Sequence, residues 1–212
     1  REDAVFCGQA WTQEVFRQLG ERITITWHVK DGDFVKASTT LFTLEGCART
    51  LLTGERSALN FIQTLSGIAT RVKQYMDLIS ETNCKLLDTR KTLPGLRNAS
   101  KYAVLCGGGH NHRLGLFDAY LIKENHIEGA GSITDAVAAC EKLAPDTWIE
   151  VECETLEEVQ EAVAVCPDII LLDNMDIPTV LKARKMVPSS ILLEASGNIT
   201  LDNAKDYADT GI

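Results

Sequence analysis

From residue 84 onward, short apolar runs alternate with stretches in which apolar residues recur every three or four positions. The runs predict buried strands and the stretches predict amphipathic helices, a pattern typical of a parallel sheet covered by helices. The predicted strands are Cys84–Leu87, Ala119–Ile122, Trp148–Val151, Ile169–Leu172 and Ile191–Leu193. The predicted helices are Asn98–Cys106, Ile133–Leu143, Leu156–Val165, Pro178–Met186 and Leu201–Ala208. No dinucleotide-binding GxGxxG follows a strand, so an α/β barrel is favoured over a Rossmann sheet. A closed barrel needs more strands, so we predict an incomplete one.

The first 66 residues show a different pattern, in which apolar and polar residues alternate over short stretches typical of strands. Trp11–Leu19 predicts a helix, and Ile23–Val29, Phe34–Val35 and Leu41–Gly46 predict strands. The pattern over 28–46 resembles the hammerhead of biotinyl and lipoyl carrier domains, but it presents no lysine at a hairpin tip. We therefore expect a β-rich supporting domain, hammerhead-like, over residues 1–66 and a catalytic barrel over residues 67–212. The stretch 51–79 predicts two helices separated at Ser66-Gly67.

Composition narrows the function classes. The net charge is -9 and the pI is near 5.0, whereas nucleic-acid binding usually needs a basic face. The seven cysteines are odd in number and form no CxxC pair, which indicates a reducing compartment and makes the cytoplasm the expected location. No apolar run approaches the roughly 20 residues of a membrane span.

Polar and mostly ionisable side chains follow the predicted strands, and at the carboxyl ends of α/β-barrel strands such groups form the active site. The cations there are Arg90, Lys91, His112, Arg113 and Lys123. Arginine binds carboxylates through two hydrogen bonds and lysine adds a point charge, so a dicarboxylate or a phosphate ester is the expected ligand.

The acidic groups and glycines extend this prediction. Glu152 and Asp173 end neighbouring strands, and two carboxylates without cysteine ligands suit Mg²⁺, which usually arrives with substrate phosphate. Ser196-Gly197-Asn198 precedes a helix and offers backbone N–H groups to a phosphate. Gly107–Gly109 offers the same, or simply a tight helix exit. No GxSxG nucleophile elbow is present, so chemistry by positioning and electrostatics is favoured over covalent catalysis.

Seven motifs in this order and spacing carry a family resemblance: Thr53–Asn60, Asp88–Arg97, Gly107–Arg113, Lys123–His126, Glu150–Glu152, Leu171–Asn174 and Glu194–Thr200. With them the chain resembles the quinolinate phosphoribosyltransferases, the carboxylating nicotinate-nucleotide pyrophosphorylases, over nearly its whole length. The resemblance implies a pentosyltransferase of de novo NAD biosynthesis, built from an N-terminal α/β sandwich domain and an incomplete α/β barrel. Its reaction would convert quinolinate and 5-phosphoribosyl 1-pyrophosphate (PRPP) to nicotinate mononucleotide, pyrophosphate and CO2.

The resemblance also implies residue roles. Arg90, His112, Arg113 and Lys123 would surround the quinolinate carboxylates. Lys91 would serve PRPP, while Glu152 and Asp173 would hold Mg²⁺ and the ribose hydroxyls and act with Lys91 and Lys123 in catalysis. Ser196, Gly197 and Asn198 would face the 5-phosphate.

Arg56 shows how the resemblance changes an interpretation. On composition alone, Arg56 and its neighbour Glu55 are a solvated pair on a helix. The resemblance instead implies that Arg56 enters the neighbouring subunit's site, which would make a homodimer, or a higher oligomer, obligatory. It also implies that the family's opening portion and final phosphate-facing segment lie outside these 212 residues.

Two rival functions remain open. A molybdenum-transport-associated paralogue shares the fold and many of the motifs, and would bind a different carboxylate or none. A non-catalytic carboxylate-binding barrel would use the same cations to sense a metabolite. The intact Thr89–Thr92 and His112-Arg113 favour quinolinate.

Overall fold

The computed structural model describes residues 2–20 and 22–212, and they form two compact units. The first unit contains residues up to 77 together with 85–112. The second contains residues 78–84 and 113–212. Each unit has its own sheet structure and its own buried apolar cluster.

The first unit contains two small antiparallel sheets. Strand β1 (Ala4–Val5) pairs with β3 (Phe34–Val35), and β2 (Thr24–Trp27) pairs with β4 (Phe42–Glu45). Trp27 joins these elements, since its ring lies 5.8 Å from Phe6 and 4.8 Å from Phe42. Helix α1 (Gln9–Gln18) follows β1. The predicted N-terminal helix and strands are confirmed, whereas β1 was not predicted because two residues give no periodic signal.

Helix α2 (Ala48–Ile79) is continuous over 32 residues, so the predicted break at Ser66-Gly67 is wrong. The Ser66 hydroxyl accepts the Cys7 N–H at 3.0 Å and donates to the Cys7 carbonyl at 3.2 Å, while Leu65 and Ala69 are fully buried. A glycine inside a helix costs only about 1 kcal/mol relative to alanine. Tertiary packing therefore holds the helix together through Gly67.

The segment 84–112 also departs from prediction at one point. The predicted strand Cys84–Leu87 is an isolated parallel bridge in which Leu87 pairs with His110. Helix α3 (Arg97–Cys106) runs into the triple glycine. A Cβ on Gly107 would lie 2.6 Å from Val72 Cβ, and one on Gly109 would lie 2.8 Å from Val104 Cγ1. Two of the three glycines therefore permit close packing at the helix exit.

The second unit contains a four-stranded parallel sheet in the sequential order β5-β6-β7-β8. Its strands are β5 (Ala119–Ile122), β6 (Trp148–Cys153), β7 (Ile169–Asp173) and β8 (Leu192–Ser196). The helices are α4 (Glu124–Ala130), α5 (Ile133–Leu143), α6 (Leu156–Val165), α7 (Ile177–Met186) and α8 (Ala204–Ala208). This confirms the predicted α/β class and its incomplete barrel. Helix α4 was not predicted, β8 continues three residues past the predicted strand, and α8 begins at Ala204 rather than Leu201.

The two faces of this sheet differ in chemistry, because successive side chains of a strand point to opposite sides. One face carries Ile122, Val151, Ile170 and Leu172, which are buried in the apolar cluster that includes residues of α5, α6 and α7. The other face carries polar residues, among them Glu150, which is 2% exposed. Among the described residues, none of the helices combines the length and the apolarity that crossing a membrane requires.

Candidate active site

Four predicted site residues lie on one face at the carboxyl edge of the parallel sheet. Glu152 pairs in register with Leu171, two residues before Asp173, and Asp173 pairs with Ser196. Leu121 pairs with Glu150, so Lys123, two residues further on, extends along the same face as Glu152. The fold thus brings a lysine, two carboxylates and a hydroxyl to neighbouring strand ends.

Lys123 and Glu152 form an ion pair at this edge. The Lys123 side chain is 44% exposed and that of Glu152 is 14% exposed, so the ammonium remains accessible to solvent while the carboxylate is largely covered. The backbone N–H of Lys123 donates to His126 Nδ1 at 3.0 Å, which closes the first turn of α4. The lysine is therefore held by a helix start as well as by its acid.

Asp173 is the centre of a hydrogen-bond network between β7 and β8. Its carboxylate accepts the Ser196 hydroxyl at 2.5 Å and the Asn174 amide at 2.7 Å. The Asn174 side-chain oxygen then accepts the Asn198 amide at 3.2 Å, and the Asn174 N–H donates to the Ser196 carbonyl at 2.9 Å. The predicted metal ligand and the predicted phosphate loop are thus joined directly.

The Ser196-Gly197-Asn198 loop adopts a conformation that favours glycine. Gly197 has φ +88° and Asn198 has φ +56°, both in the left-handed region. A Cβ on Gly197 would lie 2.7 Å from Asn174 Cγ. The Asn203 side chain steadies the loop by donating to the Asn198 carbonyl at 3.0 Å and accepting the Thr200 N–H at 2.7 Å.

Arg113 opens the loop that leads into β5. Its guanidinium donates to the Ala119 carbonyl at 3.2 Å. The backbone N–H groups of Leu114 and Gly115 donate to the Asp118 carboxylate at 2.6 and 2.9 Å. Arg113 is therefore attached to the first residue of β5, the strand that immediately precedes Lys123.

In the first unit, the segment after Leu87 carries the predicted cations Arg90 and Lys91. The Lys91 N–H donates to Thr89 Oγ1 at 3.0 Å, and the Thr92 N–H donates to the Arg90 carbonyl at 3.0 Å. Across residues 2–20 and 22–212, Arg90 Nε is buried and meets no hydrogen-bond acceptor. A buried guanidinium N–H without an acceptor is costly, so an anion that supplied one would be bound favourably.

A cavity of about 550 Å³ lies in the same unit and is lined in part by this segment. Asp88, Thr89 and Lys91 are among its lining residues. Ile68 of α2 and Ser100 of α3 also line the cavity. The volume falls in the range of roughly 300–1,000 Å³ that small-molecule sites occupy.

His112 lies at the end of a second strand-like segment of this unit. Its N–H donates to Asp88 Oδ1 at 2.9 Å, and its carbonyl accepts from Lys101 Nζ at 3.0 Å. Arg56, the remaining predicted cation, lies exposed on α2. Its predicted role in a neighbouring subunit is untouched by this geometry.

The cysteine thiols do not resemble activated nucleophiles. Burial, with a smaller contribution from the charges of nearby glutamates, raises the pKa of the Cys153 thiol to about 12. Burial also raises the pKa of Cys7, Cys106 and Cys140. A thiolate is the reactive form, so these four side chains are packing groups.

Comparison with known proteins decides the family. The sequence model described as "Quinolinate phosphoribosyl transferase, C-terminal domain" matches residues 68–212, and the one for the N-terminal domain of that enzyme matches residues 1–66. The chain belongs to the quinolinate phosphoribosyl transferase family. It is 43% identical over 213 residues to the "Probable nicotinate-nucleotide pyrophosphorylase (carboxylating)" of Bacillus subtilis (strain 168), covering 100% of this chain and 74% of that protein.

Two further relatives agree. The "Nicotinate-nucleotide pyrophosphorylase (carboxylating)" of Mycobacterium leprae (strain TN) is 44% identical over 202 residues, which cover 94% of this chain and 70% of that protein. A solved structure of the nicotinate-nucleotide pyrophosphorylase from Francisella tularensis superposes with a TM-score of 0.97 at 48% identity, covering 100% of this chain and 76% of that one. The resemblance seen in the motifs is therefore confirmed as family membership.

The donor set suits the Mg²⁺ that the quinolinate phosphoribosyl transferase resemblance implies. Glu152 and Asp173 offer carboxylate oxygens at neighbouring strand ends, and hard divalent cations prefer such oxygens. Lys123 already neutralises one of the two acids. Two protein carboxylates are a typical number for Mg²⁺ that is shared with a substrate phosphate.

Sequence reasoning about this family member missed two groups. Asn174 was read only as part of a motif, yet it connects Asp173 to Asn198. Lys101 was passed over, although it lies fully inside the fold and bonds to His112. The available signal was a lone lysine between the small residues Ala99, Ser100 and Ala103 of one helix, which is unusual on a buried helix face.

Proposed function

We propose that the protein transfers the phosphoribosyl group of PRPP to quinolinate with loss of CO2, giving nicotinate mononucleotide and pyrophosphate in de novo NAD biosynthesis. One observation carries this proposal for a member of the quinolinate phosphoribosyl transferase family. Lys123, Glu152, Asp173 and Ser196 lie on one face at the carboxyl edge of a parallel sheet. That edge is where α/β-barrel enzymes hold their substrates.

The residues for PRPP are assigned by charge and backbone geometry. Glu152 and Asp173 would hold Mg²⁺ and the ribose hydroxyls, and Lys91 would pair with a phosphate. Gly197 and Asn198 would present backbone N–H groups to the 5-phosphate, which is supported by their left-handed conformation and by the polar network around them. Mg²⁺ bound with the substrate would neutralise the pyrophosphate leaving group.

The residues for quinolinate are assigned by their positive charge. Arg90, His112, Arg113 and Lys123 would neutralise the two ring carboxylates. The buried Arg90 Nε supports this, because a carboxylate would supply the acceptor that the described part of the protein lacks there. A bidentate carboxylate pair would also fix the orientation of the ring.

The chemistry then needs positioning more than a strong base. The lone pair of the ring nitrogen forms a bond to the anomeric carbon while the bond to pyrophosphate breaks. The ring becomes cationic, so it can accept the electron pair that remains when the adjacent carboxylate leaves as CO2. The resulting carbanion takes up one proton to give nicotinate mononucleotide. Cations that bind the carboxylates orient the nitrogen for attack, which is a proximity effect.

The assembly and location are part of the proposal. Arg56 would reach the site of a second copy in a homodimer, and its exposure on α2 is compatible with that role. The cytoplasm is proposed because all seven cysteines are free thiols, as is usual in reducing compartments.

The test is PRPP-dependent loss of quinolinate, with equal formation of nicotinate mononucleotide and CO2. Arg113→Ala should raise the quinolinate KM by roughly 10- to 100-fold, which corresponds to the loss of a hydrogen bond to a charged group. Arg17→Ala is the matched control, because Arg17 is an exposed arginine of α1 that pairs only with its helix neighbour Glu14 among the ion pairs of the described residues. No PRPP-dependent loss of quinolinate would contradict the function, and an unchanged KM would remove Arg113 from the site.

A further inference from the structure

A buried ion pair between Lys101 and Asp88 lies in the first unit. Only 2% of the Lys101 side chain and 6% of the Asp88 side chain are exposed. Burial removes both charges from water, and the attraction between them repays that cost only when further hydrogen bonds satisfy the remaining donors and acceptors. The partners of this pair therefore show what the pair holds in place.

Both members of the ion pair bind the backbone of one residue, His112. Lys101 Nζ donates to Asp88 and also to the carbonyl of His112 at 3.0 Å. The same Asp88 oxygen, Oδ1, accepts the N–H of His112 at 2.9 Å. Both backbone polar groups of His112 are thus bound by the two members of one ion pair.

The neighbouring residues are held by the same pair of segments. The Asp88 N–H donates to the His110 carbonyl at 3.1 Å. With the Asn111 carboxamide turned so that its nitrogen faces Asp88, that nitrogen donates to Asp88 Oδ2 at 2.8 Å and to the Lys101 carbonyl at 3.0 Å. Each of residues 110–112 is therefore tied to Asp88, Lys101 or both.

We propose that the Lys101–Asp88 ion pair positions the His112 peptide, and that Lys101 is a positioning residue for the reaction; this rests on the proposed function, in which His112 serves quinolinate. Lys101 is among the residues that line the cavity, but only 2% of its side chain is exposed and its ammonium is bound to a carboxylate and a carbonyl, so its role is to hold the peptide in place. Removing it leaves the His112 carbonyl without its charged donor and frees Asp88 to rotate.

Hydrogen exchange tests, without any substrate, whether the Lys101–Asp88 ion pair holds the His112 peptide in place. We call this arrangement the clamp. In the full-length protein, Lys101→Met should lower the protection of the His112 amide by about tenfold or more, because the His112 peptide loses the charged donor to its carbonyl and the Asp88 carboxylate that accepts its N–H loses its ion-pair partner. The amide of Ala103, which is buried in helix α3 together with Lys101, is the internal control and should keep its protection. Unchanged exchange at His112 would overturn the clamp even if the enzyme is active.

Steady-state kinetics test the consequence for the reaction. The same variant should raise the quinolinate KM by about 10- to 100-fold, while the KM for PRPP stays near the wild-type value. Phe16→Ala is the matched control, because it removes a buried side chain from α1 in the same unit. A variant that is merely less stable has fewer active molecules, so its kcat falls and both KM values remain unchanged.

A second variant covers failure to fold. Lys101→Met with Asp88→Asn removes both charges, so no unpaired charge is left buried, yet the His112 carbonyl still lacks its ammonium donor. Its unfolding midpoint should recover towards wild type while the quinolinate KM remains raised. If the unfolding midpoint and the quinolinate KM both returned to their wild-type values, the ion pair would serve stability alone. A wild-type protein that consumes no quinolinate contradicts the proposed function, whereas the exchange experiment still decides the clamp.

Discussion

The turn after β8 has room for a glycine only, and this allows a sharp test of the proposed phosphate loop. Gly197 has φ +88°. A Cβ there would lie 2.7 Å from Asn174 Cγ and 2.9 Å from the Asn174 backbone nitrogen. The change is Gly197→Ala, which adds one methyl group at this point.

Two costs add. The left-handed conformation costs an L-residue roughly 1–2 kcal/mol. Inserting a methyl group into a packed site costs typically about 1–3 kcal/mol, and here the backbone nitrogen of Asn174 belongs to the bond that joins β7 to β8. The expected loss of unfolding free energy is therefore about 2–5 kcal/mol.

Gly131→Ala separates the two costs. Gly131 follows α4 in the same unit with φ +103°, but the nearest atom to its added Cβ is an Asp135 carboxylate oxygen at 3.9 Å. It should lose only the conformational part, about 1–2 kcal/mol. In an Asn174→Gly background, Gly197→Ala should lose less, because the side chain that it meets is gone.

The assay is urea unfolding followed by far-UV circular dichroism, with both variants and the wild type in one buffer. The KM for PRPP should rise in Gly197→Ala and remain unchanged in Gly131→Ala. The reasoning is refuted if Gly197→Ala loses no more stability than Gly131→Ala, since the close approach of Asn174 would then not exist.

Three further changes follow from local structure. Gly67→Ala should raise the unfolding free energy by about 0.5–1 kcal/mol, because Gly67 lies inside α2 with no atom within 4 Å of the added Cβ; a lower urea midpoint would contradict this. Thr155→Ala should cost about 1 kcal/mol, seen as a lower melting temperature, since the Thr155 hydroxyl caps α6; Thr155→Ser should retain the cap. Burial raises the pKa of Cys153 to about 12, so Cys153 should resist maleimide at pH 8 until urea unfolds the protein, whereas the exposed Cys47 should react at once. Mass spectrometry measures the labelling of each cysteine, and equal labelling of the two would contradict the burial of Cys153.

The parallel sheet could be predicted because most of its strands contain a short run of apolar residues. Ile169–Leu172 is a signal that helices of that length do not give. The register between neighbouring strands is not visible in the sequence, yet this register places Glu152 and Asp173 on the same face of the sheet. The family motifs supplied both residues without supplying the reason for their alignment.

Two failures have physical causes that local patterns do not contain. Ser66-Gly67 resembles a break, but the Ser66 hydroxyl is bound to Cys7, which lies 59 residues away in the chain. The sequence predicts no role for Lys101, because its partner Asp88 lies 13 residues earlier in the chain, before helix α3 begins. Tertiary contacts of this range override local propensity.

The sheet of the second unit assigns folding to one side and chemistry to the other. The face opposite the apolar cluster carries acids, and one of them, Glu150, is 2% exposed, so it is removed from water without adding to the apolar core. Apolar replacements on that face would favour a more stable protein, but selection for stability alone would remove the side chains that serve the reaction. Directed evolution for heat tolerance should therefore be paired with an activity screen, because this side is where stability and turnover oppose each other.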